Sequence, residues 1–436
     1  MTVVRVVGSL DPTAAWDGTR LFSDDDLGPG TVIPERLRGA AVAVGGDEAN
    51  GWRLLRDPLG IDKLFWVRDR DRGIVVSARP RRLVDAGHRF EDVFSMPSGT
   101  VIDIAGENGD PRLRSIVPSS WFAGEGGGGS DVEELGSRIR ITLESYLGAV
   151  ASTLRPKNVF VCLSGGLDSS GIAAIARQVF PTAVAVSFDL KRSGGSSSDD
   201  RDAAERVARD LKMPLRAVTV TEDELLDHLD MVLIEGIDWR DFNVHAALVN
   251  AALAQAIAHE RDKADVTLVL TGDLANEFLV DYEPESYGDG TYYRLPRLRP
   301  AALRTSLVRG LDTCNREIGI FSAFDLHLVQ PYAVAVDEYL RLPEEFLRRE
   351  DRKQVLSRAI FGSLVPDHVY ARKKVRAQIG STDGGGTLAA CLDRGIDQRW
   401  LRRRFCELHE IADESELDRF MRAGRYRSAV PSPAER

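Results

Sequence analysis

The run Ser164-Gly165-Gly166-Leu167-Asp168-Ser169-Ser170 concentrates groups that bind anions. Its serines offer hydroxyl donors, and its glycines let the main chain approach a ligand closely. The apolar stretch Val159-Phe160-Val161-Cys162-Leu163 precedes it and reads as a buried strand, while Gly171 to Ala176 reads as a helix. The run is therefore a strand-to-helix turn, where backbone N–H groups and the positive end of a helix form a receptor for phosphate. Asp168 fits badly in such a cradle, because a bare carboxylate repels phosphate. It fits if it holds a magnesium ion that bridges to the phosphates. The plainer reading is a polar turn with no ligand.

The surrounding pattern supplies elements that can hold this turn. The 436 residues are enough for two or three cores; they are 43% hydrophobic and 28% charged, with a net charge of -10. That charge argues against a general nucleic-acid surface. Cys162, Cys314, Cys391 and Cys406 form no CxxC pair, so neither a zinc site nor a disulfide framework is expected. No signal peptide and no uninterrupted membrane-length apolar run is seen, and the expected location is the cytoplasm. Gly124 to Ser130 has linker composition and divides the chain into residues 1–123, 124–130 and 131–436. Before it, short apolar runs (Val3–Val7, Ala40–Val44, Leu64–Val67, Gly73–Ala78, Thr100–Ile104) predict a β-rich unit. After it, helices over Val132–Leu154, Gly171–Val179, Asp202–Leu211 and Ala246–Arg261 alternate with strands over Val159–Leu163, Ala183–Phe188, Leu215–Val220 and Val266–Leu270. This alternation predicts an α/β fold with a doubly wound parallel sheet, whose ligands sit beyond the carboxyl ends of the strands.

The Ser164–Ser170 run resembles the pyrophosphate-binding loop of ATP pyrophosphatases. Further segments narrow the resemblance to the asparagine synthetase family. Arg56-Asp57-Pro58-Leu59-Gly60, with Ile61 to Phe65, resembles its RDPLGxxPLYY signature, and Ser77-Ala78 and Pro97-Ser98-Gly99-Thr100 fall at its "AS" and "PxG" landmarks. Leu270-Thr271-Gly272-Asp273-Leu274-Ala275-Asn276-Glu277 resembles LSGEGxDE; Pro331-Tyr332 and Leu342-Pro343 resemble the PFLD…LP stretch. Arg372-Lys373-Lys374 with Gly380-Ser381 resembles the RxK segment. The resemblance runs in the family's order from about Arg53 to Ser381. It implies an amino-terminal glutaminase-like αββα domain and an ATP pyrophosphatase domain with a helical carboxyl-terminal portion.

The departures refine what it implies. Thr2 stands where a working glutaminase has its nucleophilic cysteine, so a silent domain is expected, as in the β-lactam and carbapenam synthetase branch. By resemblance, Ser164, Gly165, Gly166, Asp168, Ser169 and Ser170 cradle the pyrophosphate of ATP with Mg2+, and Leu163, Val186 and Gly272 line the nucleoside pocket. Lys374 is the expected catalytic ammonium, with Lys373 as the fallback in a basic run that ends at Arg376. Asp273 stands where relatives carry glutamate or tyrosine and is the expected general base. Counting back from Pro331 gives His327 as its partner; the alternative is that His327 fills a site in a buried strand. Asn276 replaces an aspartate metal ligand, and Glu277 is the neighbour that can substitute. The implied activity is AMP-forming amide synthesis in natural-product biosynthesis. The implied substrates are a small carboxylic acid and an amine, with neither nucleic acid nor membrane as partner; a homo-oligomer stays open. The competing readings are a lasso-type peptide macrocyclase and a non-catalytic nucleotide-binding scaffold.

Overall fold

The computed structural model describes residues 4–28, 31–69, 73–104, 111–121, 131–191, 198–261, 265–279, 285–287, 290–293, 315–372 and 386–417. Thr2, the glycine-rich stretch 124–130, and Lys373, Lys374 and Arg376 lie outside them.

The amino-terminal portion is two four-stranded sheets. One is ordered β1 (Val4–Val6), β5 (Gly73–Ser77), β4 (Phe65–Asp69), β6 (Phe94–Ser95); the other is β2 (Val42–Asp47), β3 (Gly51–Arg56), β7 (Thr100–Ile104), β8 (Pro111–Ser115). Residues of β1 and β5 (Val4, Ile74, Val76) share one buried cluster with Val42, Leu54 and Ile102, so the sheets face each other. Alternation sends the next residues, Ala43, Leu55 and Val101, into a second cluster with Ala15, Phe22, Leu27 and Leu37. That outer face is covered largely by irregular chain, and the outer face of the other sheet carries the short helix α1 (Pro80–Asp85). Two sheets face each other, and the described helices packed on them are slight.

The Arg56–Phe65 segment is a buried turn. Arg56 donates to the carbonyl oxygens of Asp62 at 2.7 Å and Gly60 at 2.9 Å, and also to that of Met96. Asp57 accepts from the backbone of Ile61 at 3.0 Å and Asp62 at 3.1 Å. Gly60 has φ +63°, and a Cβ there would lie 2.6 Å from that of Ser98. The motif's residue types are thus explained by a polar knot that satisfies buried backbone groups.

The carboxyl-terminal portion is built on five parallel strands ordered β11 (Leu215–Val220), β10 (Val184–Leu190), β9 (Asn158–Cys162), β12 (Thr267–Leu270), β15 (His327–Val329). The expected parallel sheet is present. The chain leaves β9 through α3 (Leu167–Val179), β10 and α4 (Asp199–Asp210) to β11, then returns past α7 (Asp241–Glu260) to β12 on the other side of β9. The direction of winding reverses between β9 and β12, so the loops after these two strands meet at the topological switch point. Helix α2 (Val132–Leu154) precedes the sheet, α6 (Leu229–Glu235) and α8 (Ala275–Leu279) flank α7 and β12, and a short hairpin joins β13 (Glu285–Tyr287) to β14 (Gly290–Tyr293). Three helix starts differ from expectation, α4 among them, which begins at Asp199 and not Asp202. Helix α3 begins at Leu167, four residues before the Gly171 expected, and α7 begins at Asp241. Among the described residues, no helix is long and apolar enough to cross a membrane.

Buried charge joins the two portions. Arg79, 1% exposed, pairs with Asp11 at 2.7 Å and reaches Glu235 of α6 at 2.7 Å. Arg38 and the Trp121 indole meet on Asp337, and the Tyr146 hydroxyl donates to the Ala14 carbonyl oxygen at 2.5 Å.

Candidate active site

Because α3 starts at Leu167, the residues Asp168, Ser169 and Ser170 belong to its first turn, with Gly166 at the N-cap. Their N–H groups are among the orphan donors of a helix start. Two serine hydroxyls close the loop. Ser169 Oγ accepts from the Ser164 backbone at 3.2 Å and meets Ser164 Oγ at 3.1 Å, while Gly166 N–H donates to Ser164 Oγ at 3.3 Å. Ser170 is fully buried on the inner face of α3, so helical periodicity takes its hydroxyl away from the open side of the loop. Leu163 and Val186, also buried, lie side by side where β9 meets β10, with Leu163 N–H donating to Val186 O at 2.8 Å.

The glycines are required by close packing. Gly165 has φ +71°, and a Cβ there would stand 2.6 Å from the Ala203 backbone in α4. A Cβ on Gly272 would stand 2.6 Å from Ser169 N. The turn after β12 is therefore pressed against the first turn of α3, and it carries Asp273. Leu274, next in line, holds the uncommon φ of +81° while buried, so the turn bearing Asp273 is held in a strained conformation.

Three further side chains reach the loop. Tyr332 Oη, buried, donates to the Asp168 carbonyl oxygen at 3.1 Å. Arg372 donates to Ser164 O at 3.1 Å and to Asp200 Oδ1 at 2.6 Å. Lys353 Nζ donates to Asp168 Oδ2 at 2.6 Å and to Asn276 Oδ1 at 2.6 Å. Sequence reasoning missed Lys353, because it stands in the charged run Glu350-Asp351-Arg352-Lys353, which reads as a solvated face.

Glu317 was missed as well. It lies on the helix Asn315–Ala323, is 2% exposed, and pairs with Arg316 at 2.6 Å. Burial drives its carboxyl well above the ordinary range; Arg316 opposes this, and the charges of Asp273 and Glu277 add to it. The same burial, reinforced by Asp273, pushes the Cys162 thiol up. Asp273, Glu277, Glu317 and Cys162 therefore share one neighbourhood at the carboxyl end of the sheet. His327 is placed elsewhere. It pairs with Leu268 at the start of β15, two rungs before the Leu270–Val329 pair that ends the ladder. Its imidazole is held near pKa 4 by burial, opposed by a hydrogen bond with the Thr13 backbone, and its Nε2 is buried with no hydrogen-bond partner among the described residues. The structure thus sets Glu317 near Asp273, and the placement of His327 agrees with the strand-filling alternative.

For Mg2+ the donor set fits poorly. Asp168 supplies a carboxylate already paired with an ammonium, and Asn276 supplies a neutral amide oxygen bonded to that same ammonium. Among the described residues, no group of three or more His, Cys, Asp or Glu side chains is arranged to hold a metal ion.

Comparison with known proteins agrees with this geometry. Residues 147–314, which carry the loop, the central strands and the Asp273 turn, match the asparagine synthase family. Over those residues the chain is similar to asparagine synthases. The chain is also 25% identical over 311 residues to carboxyethyl-arginine beta-lactam-synthase of Streptomyces clavuligerus, covering 70% of this chain and 55% of that protein. It therefore spans about half the length of this curated relative. Two solved structures align more loosely. An NH3-dependent NAD synthetase from Campylobacter jejuni gives 17% identity and a TM-score of 0.26 over 35% of this chain and 62% of that one. NMN synthetase from Francisella tularensis gives 14% and 0.31 over 70% and 100%. At these scores neither alignment carries an argument.

Proposed function

We propose that this asparagine synthetase-like chain is an ATP-dependent, AMP-forming ligase. It activates a small carboxylic acid and joins it to an amine, without hydrolysing glutamine, in the manner of lactam formation in antibiotic biosynthesis. The observation that carries this reading is the meeting of the Ser164–Ser170 loop and the Asp273 turn at one switch point. In the first half-reaction a substrate carboxylate oxygen attacks the α-phosphorus of ATP, the bond to the bridging oxygen breaks, and pyrophosphate leaves. Positioning and charge neutralisation supply most of the acceleration. The N–H groups at the start of α3 receive the pyrophosphate, helped by Ser164 and Ser169.

Lys374 is assigned the neutralising ammonium. It stands two residues after Arg372, which is anchored to Ser164, and two residues of extended chain span only about 7 Å. In the second half-reaction the amine nitrogen attacks the acyl carbon, AMP leaves with the bonding pair, and the nitrogen's proton goes to Asp273. Glu317, whose carboxyl burial pushes well above its ordinary range, lies close enough for the two carboxyls to influence each other's charge. This replaces the Asp273–His327 pairing expected from the sequence.

The nucleotide products decide the reaction type. With ATP and a pool of carboxylic and amino acids, phosphorus NMR should show AMP and pyrophosphate. ADP and phosphate would contradict the assignment. Tight ATP binding with neither product would favour the non-catalytic scaffold.

A further inference from the structure

We propose that the Lys353 ammonium permanently fills a cation position between Asp168 and residue 276, so that this chain binds a nucleoside triphosphate with one divalent ion instead of two. The inference rests on the nucleotide-binding reading above.

Charge and distance at the site carry it. Lys353 Nζ is 2.6 Å from both Asp168 Oδ2 and Asn276 Oδ1, short contacts of the kind a charged donor makes. Its side chain is 8% exposed and that of Asp168 18%, so water screens the pair weakly. One negative, one neutral and one positive group leave no net charge for a divalent ion, which favours hard, charged oxygen ligands. An ion placed between the two oxygens would also face the ammonium at contact distance.

The ammonium is fixed by its helix, Arg352–Phe361. A Cβ on Gly136 of α2 would lie 2.4 Å from Ala359 Cβ, and one on Gly171 of α3 would lie 2.4 Å from the Phe361 ring. The helix therefore lies hard against both α2 and α3, which bears Asp168. Arg352 donates to the Leu279 carbonyl oxygen at 2.9 Å, tying the same helix to α8, which bears Asn276. A lysine swinging out to vacate the position would leave the part-buried Asp168 carboxylate without this partner. Asparagine at 276 follows from this arrangement: its amide oxygen accepts from the ammonium without adding a charge that would call for a second metal.

The test counts metal per nucleotide on the full chain. The nucleotide is an ATP analogue with a methylene group between its α- and β-phosphorus atoms, which cannot be cleaved. Calorimetry measures its binding, and electron paramagnetic resonance measures free Mn2+. Wild type is expected to bind about one Mn2+ per nucleotide, and the double variant K353M/N276D about two. N276D alone keeps Lys353 and is expected to stay at about one, which covers the case in which the double variant does not fold. Two ions in wild type or in N276D, or one in a folded, nucleotide-binding double variant, would overturn the proposal. Absence of nucleotide binding by wild type at any Mn2+ concentration would instead overturn the nucleotide-binding reading itself.

Discussion

Arg372 and Ser164, 208 residues apart, are joined by a hydrogen bond of 3.1 Å from the guanidinium to the carbonyl oxygen. The same guanidinium meets Asp200 at 2.6 Å, so one side chain ties the loop to the start of α4 and fixes where the basic run begins. Arg372→Met should lower the adenylation rate on the order of a hundredfold through misplacement of that run. Nucleotide affinity should fall much less. Single-turnover kinetics with separate binding measurements checks the split. A matching loss in both would mean that Arg372 only supports the fold.

The close approach at Gly165 and Gly272 leaves no room for a methyl group. Ala at either position should cost about 1–3 kcal/mol of stability through overpacking, together with most nucleotide binding. Gly148, exposed in α2 with open space around its α-carbon, is the control. There Ala should stabilise by about 0.5–1 kcal/mol and leave binding intact. Thermal melts with and without ATP distinguish the three.

Glu317 links stability to pH with a definite sign. Its carboxyl is raised by burial, so above about pH 4.5 the unfolded chain releases this proton while the native chain keeps it. The native state then binds more protons, and this group's contribution falls as pH rises, by about 1.4 kcal/mol per unit until the native carboxyl ionises. Glu317→Gln should remove that fall, seen as a flatter difference in urea midpoints between pH 5 and 8, roughly the interval of greatest stability. It should also change the pH–rate profile of amide formation. His327→Gln should leave the profile unchanged, because His327 is neutral and sits against Thr13. A shifted profile in His327→Gln alone would return His327 to the base.

Arg79 is the buried cation between the two portions, held by Asp11 and Glu235. Arg79→Met should cost about 3–5 kcal/mol, because it leaves a buried carboxylate unpaired. Chemical denaturation checks this. A loss below about 1 kcal/mol, the range of exposed pairs, would mean that water reaches the pair.

The parallel sheet and the loop were legible because the information is local: an apolar run, then serine, glycine and aspartate within one turn. The start of α3 was misplaced because Ser169, Ser170 and Gly171 are poor helix formers, yet they suit a first turn whose N–H groups face a ligand. Lys353 and Glu317 were illegible for a different reason. Lys353 lies in a charged stretch that reads as surface, and Glu317 in an Arg-Glu pair that reads the same way. Only the folded chain shows Lys353 meeting Asp168 across 185 residues and Glu317 buried near Asp273. His327 was reached by counting along a motif. Counting ignores register, and register places it two rungs short of the carboxyl edge.

Exchange of labelled pyrophosphate into ATP, dependent on an added carboxylic acid, tests the central claim most directly. The account predicts exchange with at least one acid of a broad panel, assayed with and without candidate amines, and its loss in Asp168→Ala and Lys374→Ala. Exchange that persists in Asp168→Ala, or cleavage of ATP to ADP with no exchange, would contradict it.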